Sequence, residues 1–384
     1  MSEIRIAIAG VGNCASSLVQ GLGFYRHSGT TVGLMHPDLG GYSVGDIHLA
    51  CAFDVDDRKI GQPVGQAIFS APNNARIFFP NPQDDGAVVH AGPLGDGVAA
   101  HLTDPGESQH VAVAAKSRQS SLADVVSILR DTGAQVLLNY LPVGSQKGSE
   151  VYAQACLDAH IAMVNCIPVF IASDSRWAGK FAAAGLPVIG DDVKSQFGAT
   201  IVHRLLMALA QQRGIAIDSS YQLNVGGNND FLNMLERGRL KSKKISKTEA
   251  VTSQITGGMD EEHIHIGPSD YIRFLHDNKV CYVRMNAHGF GALPMELDLK
   301  LSVEDSPNSA GVVVDAIRCA ALGLQHRCGG ALTEVSAALM KHPPHQMSDP
   351  DAAAAMESWI TRYAGAPVAK VPGVAGPSHA PATR

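Results

Sequence analysis

Ile4-Arg5-Ile6-Ala7-Ile8-Ala9-Gly10-Val11-Gly12-Asn13-Cys14-Ala15 decides the reading of the first half of the chain. An apolar, β-branched run ends in glycine, and Asn13 to Leu22 after it lacks proline, so the spacing predicts strand, turn, helix. The alternation returns further on. His48 to Val55 reads as strand, Ser121 to Arg130 as helix stopped by Gly133, and Gln135 to Leu141 as strand. Ser149 to His160 reads as helix before the strand Ile161 to Ile167, and Asp174 to Ala184 as helix before Pro187 to Gly190. Strands alternating with helices make βαβ units, hence a parallel sheet covered on both faces. The first half is predicted as doubly wound α/β, with Gly23 to Gly45 as a long glycine-rich loop inserted in the first unit.

After residue 190 the pattern changes. Phe197, Ile201, Val202, Leu205, Leu206 and Leu209 recur at helical spacing and predict one long amphipathic helix. From Met295 to Val303 the odd positions are Met, Leu, Leu, Leu and Val and the even ones Glu, Asp, Lys and Ser, which predicts a half-exposed antiparallel strand with Val280 to Ala287 as its neighbour. Such a sheet leaves one face to solvent or to a partner. Ala310 to Leu324 and Ala331 to Met340 read as helices that return to the first domain. The expected division is a Rossmann-like dinucleotide-binding domain over 1–204, an inserted α+β catalytic and oligomerisation domain over 205–305, C-terminal helices over 306–362 and a disordered Pro, Ala and Gly tail over 363–384.

Composition narrows the function. The 384 residues carry 30 Lys and Arg against 36 Asp and Glu, a net charge of -6, which offers no general field for a polyphosphate backbone and argues against nucleic acid. No window approaches the length of apolar chain a membrane span needs, and no signal-peptide layout precedes the first strand, so a cytoplasmic protein is expected. The seven cysteines are odd in number and widely spaced, as reduced thiols would be. His263 and His265 stand two apart, and a third metal ligand for them is missing.

Gly10, Gly12, Asn13, Cys14 and Ala15 stand where a helix N-terminus favours an anion, and a pyrophosphate fits there. Alone, such a glycine pattern is weak; its place after the opening strand strengthens it. Asp54 closes the second strand, 42 residues after Gly12 because of the inserted loop, and would accept from a ribose hydroxyl while repelling a 2'-phosphate, which favours NAD over NADP. Asp191 and Asp192 end another strand, where a helix cap is the plainer role. Lys194 to Thr200 brings hydroxyls and N–H groups to a helix start, a second cradle for an anion. Asn224 to Asp230 taken alone is an ordinary turn-forming loop. Lys243 and Lys247, four apart, share a helix face and repel unless an anion lies between them; a solvated basic face is the other reading. Lys279, Asp305 and Lys341 carry no signal by themselves.

Six ordered motifs resemble the myo-inositol-1-phosphate synthase family, in particular its actinobacterial and archaeal short form: Asn139 to Ser145, Gly190 to Ser195, Gly226 to Asp230, Lys243 to Lys247, Asp277 to Lys279 and Glu304 to Ser306. The resemblance implies that NAD is held by Gly10, Gly12, Asn13, Cys14, Asp54, Asn139, Tyr140, Leu141, Pro142 and Asp191. It implies catalytic groups at Asp192, Lys243, Lys247, Lys279, Asp305 and Lys341. Phosphate donors are expected from Ser195, Gln196, Gly198, Thr200, Asn228, Asn229 and Asp230, although the loop from Lys194 to Thr200 departs from the Lys-Ser-Gly-Gln-Thr of eukaryotic relatives. A monovalent or divalent cation by the pyrophosphate, at Asp305 and Ser306, is allowed. The implied partner is glucose 6-phosphate and the implied assembly a homotetramer.

The reaction that the resemblance implies converts D-glucose 6-phosphate to 1D-myo-inositol 3-phosphate without net redox change. Lys243 is the expected base or relay, assisted by Lys341; Lys279 or Lys247 polarises the aldehyde oxygen, and Asp192 and Asp305 offset the cations. Crowded lysines are expected to depress one another's pKa, and the segment 226–250 to cover the site. Two rivals remain: a conventional NAD-dependent dehydrogenase of a small hydroxy compound, and a non-catalytic sensor of NAD and sugar phosphate.

Overall fold

The computed structural model describes residues 3–82, 85–106, 109–254 and 259–364. The tail expected to be disordered lies outside them from residue 365. Eleven strands are described: β1 (Ile4–Ala9), β2 (Ile47–Asp54), β3 (Val89–Ala91), β4 (Val136–Asn139), β5 (Ala162–Asn165), β6 (Pro187–Ile189), β7 (Ala216–Gly226), β8 (Ile264–Tyr271), β9 (Asn278–His288), β10 (Pro294–Glu304) and β11 (Gly330–Ala331). The α-helices are α1 (Asn13–Ser28), α2 (Val64–Ala67), α3 (Leu122–Asp131), α4 (Gln146–Ala159), α5 (Ser175–Ala184), α6 (Ala199–Gln212), α7 (Asn229–Asn233), α8 (Lys241–Thr252), α9 (Asp305–Gln325), α10 (Thr333–Leu339) and α11 (Asp349–Ala364).

Seven strands form one parallel sheet in the order β11-β6-β5-β4-β1-β2-β3. Its strands are apolar on both faces because both are covered. On one face Ile6, Ile8, Val136, Leu138 and Val164 pack against Leu18 and Val19 of α1 and Val313 and Ile317 of α9, with Met356 and Trp359 of α11 in the same core. On the other, Phe53, Leu137 and Met163 pack against Val125 and Leu129 of α3, Tyr152 and Cys156 of α4 and Phe181 of α5. This is the doubly wound architecture the first strand announces.

The second sheet runs β10-β9-β7-β8, with β10 and β7 antiparallel to β9 but β7 and β8 parallel, so it is mixed. Met207 of α6 and Val251 of α8 close a small core with Ile266 and Met285 on one face. On β10, Met295 is 43% exposed and Leu297 36%, so apolar side chains of this strand stand uncovered in the single chain.

Three local expectations are corrected. α1 continues through Ser28 to a left-handed cap at Gly29, so the long loop begins at 29 and not at Gly23; residues 23–28 gain packing and hydrogen bonds that a count of glycines does not register. α9 begins at Asp305, five residues before the apolar period shows, because its polar first turn, Asp305, Ser306 and Pro307, lies at the end of β10. Ala331 belongs to the short strand β11 beside β6, and α10 starts only at Thr333.

Candidate functional site

A cavity of about 270 Å³ runs along the carboxyl ends of the parallel strands and under α7, α8 and the start of α9. Carboxyl ends are where open α/β sheets take ligands. Gly10, Gly12, Asn13 and Cys14 line it, as do Asp54, Tyr140, Leu141, Pro142, Asp192, Ser195, Asn228, Asn229 and Asp230, together with Lys247, Lys279, Asp305, Ser306 and Lys341. A small side pocket shares Ser195, Lys247, Lys279 and Lys341 and adds Gly198, Thr200, Gln222 and Asn224. Residues far apart in sequence thus meet as two connected compartments.

The first compartment is made mainly of backbone. Gly10 holds φ at 95°, and a Cβ there would stand 2.7 Å from the Tyr140 carbonyl oxygen, so glycine lets β1 and β4 close at this point. The Val11 N–H donates to Asp54 Oδ2 at 2.7 Å, and Asp54 Oδ1 accepts from Val55 and Asp56 N–H at 2.7 and 2.9 Å. Helix α1 starts at Asn13 with no side-chain cap, which leaves first-turn N–H groups for an anion. Lys59, which the motifs did not single out, is buried beneath this turn and donates to Val11 O at 2.7 Å and Asn73 Oδ1 at 2.8 Å. Burial pulls its pKa down against the pull of Asp54 and Asp56. A lysine five residues past the acidic strand end was the available signal.

Asp277 ties the glycine turn to the starts of α7 and α9. Its carboxylate accepts from Asn13 Nδ2 (2.9 Å), Asn228 Nδ2 (3.1 Å), Ser306 N (3.1 Å) and Ser306 Oγ (2.9 Å). Burial and then the charge of Asp305 raise its pKa to about 6 despite those donors. Although it opens the motif Asp277 to Lys279, its contacts span nearly the whole chain and leave no spacing to read.

The second compartment is made of charged side chains. Lys279 Nζ stands 2.8 Å from Asp305 Oδ1 and Lys341 Nζ 2.9 Å from Asp192 Oδ1. Asp192 takes left-handed backbone with φ at 61°, and its Oδ2 accepts from Ser246 Oγ of α8 at 2.7 Å. Lys247 follows one residue later and reaches both compartments. Lys243 lies one turn earlier on α8, but its side chain is outside the described part of the structure. Helix α6 begins at Ala199 without a side-chain cap, so its first N–H groups stand with Ser195 and Thr200 beside these lysines.

Several expected contacts are not made. Asp191 is fully buried and accepts from Asn165, from Ser173 Oγ and from the N–H groups of Ile171, Ala172 and Ser173; it orders the loop after β5 and lies off the cavity. Asn139 spends its amide on Ser149 Oγ and Asn165 Oδ1 behind the wall. Gln196 turns outward and donates to Gly33 O at 2.7 Å, away from the lysines. Asn228, Asn229 and Asp230 line the large compartment and are absent from the small one; the Asn228 side chain is the cap of α7, accepting from the Asp230 and Phe231 N–H groups. Crowding does not lower Lys279: burial disfavours its ammonium, yet Asp305 outweighs burial and holds its pKa above the ordinary value. Like Lys59, Lys194 is pushed down, in its case to about 8, by burial and then by Arg204; its Nζ faces Asp349 and the Ala337 carbonyl.

The fold and the two compartments define a class: Rossmann-like α/β proteins that join a dinucleotide-type turn to a lysine-lined pocket supplied by an inserted sheet. The match to known proteins is closer than the class. Residues 198–306 match the family model of myo-inositol-1-phosphate synthase. The chain is 48% identical to an inositol-3-phosphate synthase of Mycolicibacterium smegmatis over 93% of its own length and 98% of that protein's, and 47% identical to one of Corynebacterium glutamicum over 94% and 98%. An inositol-3-phosphate synthase structure from Caenorhabditis elegans, 15% identical, shares the fold with a TM-score of 0.76 over 95% of this chain and 86% of that one. The chain belongs to the myo-inositol-1-phosphate synthase family of enzymes.

Proposed function

We propose that this chain uses NAD to convert D-glucose 6-phosphate to 1D-myo-inositol 3-phosphate, with the nucleotide in the first compartment and the sugar phosphate in the second. The observation that carries it is the meeting of Lys247, Lys279 and Lys341 with the uncapped start of α6 directly beside the glycine turn. Open first-turn N–H groups on α1 and the acceptor Asp54 suit a pyrophosphate and a ribose. Bound there, NAD supplies reversible hydride acceptance from the sugar and return to it.

The chain's residues do the rest. Ser195, Thr200 and the α6 N-terminus hold the phosphate, and the lysines neutralise it. Lys279, kept an ammonium by Asp305, polarises the oxygen on which charge develops and is poorly suited to take a proton. Lys243, assisted by Lys341, is the base that takes the hydroxyl proton as the hydride leaves C5. Asp192 orients Lys341. Lys279 donates to Asp305 Oδ1 and the Ser306 hydroxyl donates to Asp277, and no step is assigned to a metal. Among the described residues no group of three or more His, Cys, Asp and Glu has metal-holding geometry, and no described helix is long and apolar enough to cross a membrane. A homotetramer through the uncovered β10 completes the reading.

The test is phosphorus NMR of the protein with glucose 6-phosphate and catalytic NAD, with NADH absorbance in parallel. An inositol phosphate resonance without net NADH supports the redox-neutral reaction; steady NADH growth would make it a dehydrogenase. Lys243→Ala should abolish turnover and leave NAD binding nearly intact, and wild-type turnover in that variant sinks the base assignment.

A further inference from the structure

Ser220, Gln222 and Asn224 alternate along β7, and all three turn to its buried side, at 4%, 1% and 0% exposure. Three polar side chains on a core face destabilise a strand unless each is hydrogen-bonded. Here they form a chain that ends at the small pocket, and the direction of its hydrogen bonds can be worked out from one carbonyl.

The Gly267 carbonyl can only accept, so Asn224 turns its amide nitrogen to it, with Nδ2 2.8 Å from the oxygen. Asn224 Oδ1 then faces Gln222 and accepts from its Nε2 at 3.1 Å. Gln222 Oε1 is left facing His203 Nδ1 at 3.3 Å, and only a protonated Nδ1 satisfies it. On the far side of the ring, His203 Nε2 lies 2.9 Å from Ser220 Oγ, which is also 2.7 Å from the Arg284 carbonyl. The hydroxyl rotates to suit either ring: it donates to a neutral Nε2, or to Arg284 when Nε2 is protonated. Burial pushes the His203 pKa down to about 4, so the neutral ring holds at pH 7, with its one proton on Nδ1.

Gln222 therefore shows the pocket a nitrogen and not an oxygen. One amide hydrogen goes to Asn224, and the second has no protein partner among the described residues while Gln222 lines the pocket with Ser195, Thr200 and three lysines. We propose that Gln222 Nε2 donates to the anionic group held in this pocket, and that His203 is the positioning residue that keeps Gln222 a donor. The inference rests on the reading of this pocket as the phosphate site. A neutral amide adds directional selectivity where the lysines act as point charges.

Initial rates against glucose 6-phosphate, with NAD saturating and inorganic phosphate as competitor, test it. Gln222→Leu should raise KM about 10- to 30-fold, the loss of one hydrogen bond to a charged acceptor, with kcat and NAD affinity changed less than about threefold. Gln222→Glu, isosteric and able to replace the first variant should that fail to fold, should raise KM further because an acceptor now faces the anion. His203→Phe removes the Nδ1 donor and should raise KM about fivefold, whereas His203→Gln keeps an N–H and should recover most of that; a merely structural role would not separate those two. Unchanged KM in both Gln222 variants overturns the assignment and leaves the phosphate reading standing. A wild-type protein that neither saturates with glucose 6-phosphate nor responds to inorganic phosphate overturns both.

Discussion

The two ends of the cavity are built by opposite means. Around Gly10 and Gly12 the groups that face inward are backbone N–H groups, set by a turn whose members adjoin in sequence and braced from behind by Asp54 and Lys59. Around Lys279 and Lys341 they are ammonium groups drawn from α8, β9 and the segment after α10, and Lys279 and Lys341 are each held by a carboxylate from another element. Apart from Gly10, where no Cβ fits, backbone donors survive most substitutions because every residue but proline supplies one. A cluster of paired charges does not, since removing one partner strands the other in a place where water is scarce. The end thought to hold the cofactor should therefore be tolerant and the end thought to perform the chemistry brittle.

The sharpest way to break that contrast is Lys279→Met. It leaves Asp305 facing Asp277 without its cation, and turnover, followed by product phosphorus NMR, should fall about a thousandfold while NAD affinity stays within about fivefold. A tenfold loss or less would mean the ion pairs are scaffolding. Next in size, Asp54→Ala should weaken NAD binding about 10- to 100-fold in a fluorescence titration, with kcat at saturating NAD nearly unchanged; a collapse of kcat would show that the backbone end also governs chemistry.

The smallest expected effect asks whether the parallel half has a paired-charge device of its own. His36 bridges Asp315 of α9 and, at 2.6 Å, Glu357 of α11, and its pKa is raised from 6.5 to about 9, first by the hydrogen bond to Asp315 against the opposing pull of burial. A raised histidine stabilises fully below its unfolded value and stops doing so as pH climbs through the folded one. Thermal unfolding should thus lose on the order of 2 kcal/mol between about pH 6.5 and 9, after allowance for solvent screening, and His36→Asn should flatten that slope. An unaltered slope in the variant would assign the pH dependence elsewhere.

The same contrast decides what was legible in the sequence. The parallel half could be read because each strand is an apolar run bounded by turn formers, and the glycine turn is contiguous. The order of the mixed sheet could not: nothing in Ile264 to Tyr271 says that β8 lies parallel to β7 and three places from β10. Asp192, Lys247, Lys279, Asp305 and Lys341 came from a likeness of motifs, since as isolated charges they resemble any surface residue; the structure shows them converging. Asp191 and Gln196 do not face the cavity, because adjacency in a motif does not fix direction: Asp191 points into the sheet beside the left-handed turn of Asp192, and Gln196 points away from Ser195. Gln222 and His203 were missed although alternate polar residues on a strand otherwise packed with apolar ones were there to be noticed.

Helix α9 has a further consequence, in the time order of synthesis. It supplies Val312, Val313, Val314, Ala316 and Ile317 to the face of the parallel sheet that begins with Ile6 and Ile8. A ribosome that has finished every strand of both sheets except β11 has still not made that cover. Until residues 305–325 emerge, the strands from β1 to β6 lack that part of the cover over their apolar face. Nascent chains of this design spend most of their elongation in a state that other chains can stick to, and their yield in a cell should follow the supply of chaperone more closely than the stability of the finished enzyme.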